Sequence, residues 1–173
     1  MIDPSLTVNP VVLLFKIAAL HIALSFVVNR MGWHSLAAVR LHLTPRKWEK
    51  NGEIYQKLFR IRSWKEYIPV AGPFDKRSIR SDEVSYISIF ILETVRAELA
   101  HWLCLVATVY ALISFNGQFY SSILFFYLAI NLPCIMIQRY NRPRLERVLR
   151  MKKSPLIIPA ESRGRLFFRK RYY

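Results

Sequence analysis

Residues 99–137 read LAHWLCLVATVYALISFNGQFYSSILFFYLAINLPCIMI, and no Asp, Glu, Lys or Arg interrupts them. An uncharged run of that length suits hydrocarbon, where each charge would need a partner. Asn116-Gly117-Gln118 divides it into two blocks, about 99–115 and 119–137, joined by a tight turn. Each block has about 17 to 19 residues, near the lower end of what crosses a bilayer at 1.5 Å per residue. A further block, about 11–28, is broken only by Lys16 and His21. Lys16 lies near its start and can snorkel to the interface. His21 is deeper, as a packed, hydrogen-bonded residue or as part of a polar cavity. Asp3 precedes this block, with no basic stretch before it and no A-x-A site after it. That pattern predicts a retained helix rather than a signal peptide. The expected fold class is an all-α integral membrane protein of about three transmembrane helices, forming a single membrane domain over 1–173.

Composition agrees once position is considered. Hydrophobic residues make up 53% of the 173, yet the formal charge is +15. Of the 26 Lys and Arg, thirteen lie between the first and second blocks, twelve follow Ile137, and Lys16 is the other. The positive-inside rule then predicts a multi-pass protein of the cell membrane, with its N-terminus outside. The segment 30–98 and a basic tail, 138–173, fall in the cytoplasm. A charge of +15 also suits nucleic acid, but a soluble nucleic-acid binder has no use for such apolar runs, so that partner is excluded. Cys104 and Cys134, both inside apolar blocks, are too few for a disulfide framework or a zinc site.

The segment between the first two blocks is basic and aromatic. Thr44-Pro45 reads as a helix start, with Thr44 as cap and Pro45 in the first turn. Leu58, Phe59, Ile61, Trp64, Tyr67 and Ile68 alternate with Lys57, Arg60, Arg62 and Lys65. That mixture suits an anionic membrane surface and is equally compatible with a small folded lobe. A second helix is expected from Ser81, with Asp82 and Glu83 at its positive end. Val84, Ile87, Ile91, Val95 and Leu99 then recur at helical spacing.

A hairpin of the last two blocks brings two polar motifs together. Glu93, Arg96, Glu98 and His101 stand where one helix enters the bilayer; Gln138, Arg139, Tyr140, Asn141, Arg142 and Arg144 stand where the next leaves it. Glu98 and His101 are three apart and share a helix face. A carboxylate beside an imidazole can hold its tautomer and raise its basicity, as removal of a hydroxyl proton requires. The plain alternative is an interfacial histidine with an ordinary partner, next to Trp102 as an aromatic anchor. A metal reading of Glu-x-x-His needs a second such motif, and the chain has none. The arginines from Arg139 to Arg150 could grip phosphate bidentately or fix the helix end against anionic lipid.

Arg96-Ala97-Glu98-Leu99-Ala100-His101-Trp102, Asn131-Leu132-Pro133 and Gln138-Arg139-Tyr140-Asn141-Arg142-Pro143-Arg144-Leu145 closely resemble the glycosyl-4,4′-diaponeurosporenoate acyltransferase family. The weaker matches Trp48-Glu49-Lys50-Asn51-Gly52 and Arg62-Ser63-Trp64-Lys65 extend the resemblance over roughly 30–150. These small bacterial membrane proteins belong to staphyloxanthin-type carotenoid synthesis, where a sugar hydroxyl of a glycosylated carotenoid is esterified. The resemblance implies a membrane acyltransferase with no cofactor, using acyl-CoA or another activated acyl donor and a lipid-like hydroxyl acceptor. The residue reading fits that chemistry, with His101 and Glu98 expected as catalytic residues. Arg96, Glu93, Gln138, Arg139, Tyr140, Asn141, Arg142, Arg144, Trp64 and Lys65 would bind substrate. The alternative is a non-catalytic protein that meets membrane lipids or a partner through its basic surface.

Overall fold

The computed structural model describes residues 9–68, 83–114 and 120–153. Among them all regular structure is helical. Helix α1 (Pro10–Asn29) starts where Asn9 accepts a hydrogen bond from the Val11 N–H at 2.9 Å, with proline in the first turn. A short α2 (Trp33–His42) follows, and a small lobe comes next. It contains a 3-10 turn (Lys47–Gly52), α3 (Glu53–Phe59), α4 (Ile61–Trp64) and a last 3-10 turn (Lys65–Tyr67). Two long helices complete the order, α5 (Val84–Ser114) and α6 (Tyr120–Lys153).

Helices α1, α5 and α6 are long and apolar enough to cross a membrane. Only 17% of the α1 span is buried within the protein, leaving Phe15, Ile22, Phe26 and Val27 outward-facing, a surface that lipid must cover. The inner faces meet in one core of Leu13 and Ile17 from α1, Ala111 and Leu112 from α5, and Ile123 and Tyr127 from α6.

Three expectations need correction. Helix α6 does not stop near Ile137: it runs 34 residues to Lys153, about 51 Å at the α-helical rise. Pro143 lies inside this helix, where it withdraws the N–H that would have served the Arg139 carbonyl and sets its ring against that carbonyl. The basic stretch expected as the start of a tail is therefore helical as far as Lys153. The structure also places α2 in a stretch where no helix was expected. Lastly, the helix start expected at Thr44-Pro45 is instead a 3-10 turn that begins at Lys47. The Glu49 carboxylate caps the Arg46 N–H at 2.8 Å, while the Thr44 hydroxyl points back to the Leu41 carbonyl. Ser81, Asp82, the 116–118 turn and residues 154–173 lie outside the described residues.

The lobe packs Tyr55 and Ile61 against Ile137 and Tyr140 of α6. Its backbone passes through three successive left-handed residues, Lys50 (φ 48), Asn51 (φ 55) and Gly52 (φ 82). Lys50 and Asn51 bear the steric cost of that region, roughly 1–2 kcal/mol each. Gly52 is required for a second reason. A Cβ there would lie 2.8 Å from the Arg139 carbonyl oxygen and 3.1 Å from Tyr140 Cα. Gly52→Ala should accordingly destabilise the protein by about 1–3 kcal/mol, through loss of the lobe's seat on α6. Thermal unfolding in detergent checks this, and an unshifted midpoint would show that the seat tolerates a methyl group.

Candidate active site

Thr94, Glu98 and His101 recur at four and three residues along α5, so they share a face; Asn131, Gln138 and Arg142 do the same on α6. The antiparallel packing of these helices sets the two faces against each other. At the centre is Glu98, with no exposed surface. Its Oε1 accepts from Arg139 Nε at 2.7 Å and from Trp102 Nε1 at 3.3 Å. Its Oε2 accepts from Arg142 Nη2 at 2.5 Å.

Both arginines reach further. Arg142, 1% exposed, donates to the Thr94 hydroxyl at 3.0 Å, the Thr94 carbonyl at 3.1 Å and the Leu43 carbonyl at 2.8 Å. It ties α6 to α5 and to the end of α2. Arg139 donates through Nη1 to Glu49, another carboxylate with no exposed surface. Glu49 in turn accepts from the Tyr55 hydroxyl at 2.9 Å. Two guanidiniums and two carboxylates thus form a neutral buried cluster. Mutual pairing lets Glu98, Glu49 and Arg142 leave water, while Arg139 keeps part of its side chain exposed.

The electrostatics follow from the geometry. Burial works against the Arg139 charge, but Glu98 and Glu49 outweigh it and hold its pKa above the ordinary value. Arg142 is more deeply buried and ion-pairs with only one of these carboxylates, and its pKa falls below the ordinary value. A guanidinium keeps its charge regardless. Burial and then Glu49 push the Tyr55 hydroxyl up, so it stays a neutral donor.

His101, half-buried and one turn beyond Glu98 along α5, meets a different partner. Its Nδ1 lies 2.9 Å from Asn131 Oδ1. The Asn131 amide is itself fixed, because its nitrogen donates to the Tyr127 carbonyl at 2.8 Å. Oδ1 can only accept, so Nδ1 carries the proton and the neutral ring has its lone pair on Nε2. At Nδ1 the tautomer is therefore set by an amide, where the sequence suggested the Glu98 carboxylate.

The other candidate residues separate into groups. Arg96 donates to Glu93 at 3.0 Å and, through Nη1, to the Val28, Asn29 and Met31 carbonyls at 2.8–3.1 Å. It caps the end of α1, which the helix dipole favours. Asn141 is buried, as is Gln138, whose Oε1 has no hydrogen-bond partner among the described residues. Tyr140, Arg144, Trp64 and Lys65 gather at the lobe. Sequence reasoning missed Glu49, Tyr55, Thr94 and any role for Asn131. Asn131 carried a legible signal, a polar amide within an apolar span. Glu49 stood only within the weaker family match Trp48-Glu49-Lys50-Asn51-Gly52, and neither composition nor spacing marked it for burial.

The fold and site thus define a small multi-spanning membrane protein, built around a buried carboxylate–guanidinium cluster with an oriented histidine beside it. Residues 40–151 match the family model described as glycosyl-4,4′-diaponeurosporenoate acyltransferase, and the chain belongs to that family. A relative of that name from Staphylococcus haemolyticus (strain JCSC1435) is 42% identical over 114 residues, covering 62% of this chain and 66% of the relative. One from Staphylococcus aureus (strain USA300) is 35% identical over 115 residues, covering 61% and 66%. The chain thus spans a little under two thirds of the curated relatives it matches. No solved structure matches it.

Proposed function

We propose that the chain is a membrane acyltransferase that moves a fatty acyl group from an activated donor, with acyl-CoA as the type, to a sugar hydroxyl of a lipid-like acceptor. The relatives' name points to a glycosylated carotenoid acid as the acceptor class. The observation that carries the reading is the fixed Nδ1–H of His101 against Asn131 Oδ1. Nε2 then holds a lone pair at the charged end of a membrane hairpin, where an amphiphilic substrate places its polar group. Nε2 takes the proton as the hydroxyl oxygen attacks the thioester carbonyl. The tetrahedral intermediate expels the thiolate, which receives that proton, and ester and thiol leave. In this mechanism Glu98, Arg139, Arg142 and Glu49 hold α5, α6 and the lobe in position.

The orientation proposed has the N-terminus outside and the charged ends of α5 and α6 in the cytoplasm, supported by the Lys and Arg asymmetry. One experiment tests activity and orientation together. The protein is placed in sealed membrane vesicles with a glycolipid acceptor, and labelled acyl-CoA is added outside. Label should enter an ester in inside-out vesicles and not in right-side-out ones. The reverse pattern overturns the orientation, and no ester from either overturns the transfer.

A further inference from the structure

On the side of α6 turned towards the lobe, three cationic side chains converge on one aromatic ring. The Arg144 guanidinium carbon lies over the Tyr140 ring, 3.5 Å from its centroid, and Nη1 donates to the Tyr140 carbonyl. Lys65 Nζ stands 5.8 Å from the same centroid. Arg62 Nε donates to the Tyr140 hydroxyl at 2.6 Å. Among the described residues no carboxylate forms an ion pair with any of the three. Arg142, only two residues from Tyr140 and Arg144 on α6, has all its charge spent on internal partners, so the contrast is local.

Such a grouping costs Coulomb energy that an arriving anion would recover. Burial depresses the Arg144 pKa, and Arg62 and Arg147 push the same way, while Tyr140 and, more weakly, the unpaired Glu53 oppose them. Of these two guanidiniums, only Arg144 Nη1 and Arg62 Nε donate hydrogen bonds among the described residues, which leaves further donors on both for an oxyanion. The post itself is firm: Tyr140 is 2% exposed and packed among Tyr55, Ile61 and Ile137. At about 100° per residue along a helix, Tyr140 and Arg144 face away from Gln138 and Arg142. The cluster is therefore separate from the Glu98 centre.

We infer that Arg62, Lys65 and Arg144, arranged around Tyr140, form a binding site for a phosphate-bearing anion. Two sources share that chemistry: the phosphorylated head of a nucleotide thioester, and the headgroup of an anionic phospholipid.

The full chain in phosphatidylcholine nanodiscs provides the test. In one arm, adenosine 3′,5′-bisphosphate is titrated in. In the other, phosphatidylglycerol is added to the nanodisc lipid and the shift in Tm is read. Lys65→Gln and Arg144→Gln should each weaken the responding arm roughly tenfold per cation removed. Arg150→Gln, which removes the same charge about 9 Å further along α6, should change little. Lys65→Gln breaks only a 5.8 Å ring contact, so its folding is not at issue. A response to the bisphosphate alone assigns the site to a soluble head group, and a response to phosphatidylglycerol alone assigns it to lipid. No response in either arm, or equal weakening by Arg150→Gln, overturns the site. Neither arm needs an acceptor or turnover, so the result is independent of whether acyl transfer occurs.

Discussion

His101→Ala should lower the rate of ester formation by about 10²–10⁴-fold, the usual contribution of a general base, with the donor KM little changed. The expectation rests on the tautomer. Asn131 Oδ1 accepts the Nδ1 proton, and the Asn131 amide cannot turn over without losing its bond to the Tyr127 carbonyl. The lone pair is thereby committed to Nε2 before any substrate arrives. His101→Gln is the sharper variant, since glutamine can replace a hydrogen bond to Asn131 but cannot accept a proton at neutral pH. A correctly inserted His101→Gln protein with near-full turnover would make His101 a packing residue. Asn131→Ala should retain part of the activity, because the imidazole survives but its ring is no longer held.

Glu98→Ala should be the most damaging substitution for folding, at about 3–5 kcal/mol, the usual result of removing one partner from a buried ion pair. Glu98 has no exposed surface and carries Arg139 and Arg142 together, and Arg142 is 1% exposed. Its loss strands buried positive charge at the meeting of α5, α6 and the lobe. Glu98→Gln keeps the shape and loses the charge, so it should lie between wild type and Glu98→Ala. Combining Glu98→Gln with Arg142→Met should cost less than the sum of the two, because the second change removes what the first left unpaired. Tm and the yield of folded protein in detergent measure all three. Full stability combined with lost turnover would move Glu98 from the scaffold to the chemistry.

The sequence supported another ranking, with Glu98 as a helper to His101 and Arg142 as a grip on phosphate. Both ideas treated side chains near in sequence as near in role. Arg139, Arg142 and Arg144 have the same chemistry and differ mainly in azimuth on α6. Arg139 reaches both carboxylates, Arg142 is sealed against Thr94 and Glu98, and Arg144 lies over Tyr140 on the lobe side. About 100° of rotation per residue makes those destinations different. Arg96 tells the same story, because its guanidinium closes the end of α1, some 65 residues away in sequence.

By itself the sequence determined the membrane class, the presence of three long apolar helices and the buried helical face through Ile87, Ile91 and Val95. Hydrocarbon permits only backbone that satisfies itself and long stretches without charge, and both leave marks that need no partner to be read. It also located the polar focus on α5 and α6, around residues 93–101 and 138–144, since the motifs there are contiguous. Only the tertiary structure decided which charges are buried. Glu49 lies in the polar stretch Trp48-Glu49-Lys50-Asn51-Gly52, and neither composition nor spacing marks it for burial over Glu53. It is buried because Gly52 lets the lobe sit against the Arg139 carbonyl, which brings Glu49 onto the Arg139 guanidinium. A buried charge depends on a partner brought from elsewhere in the chain, and that pairing exists only once the helices have packed.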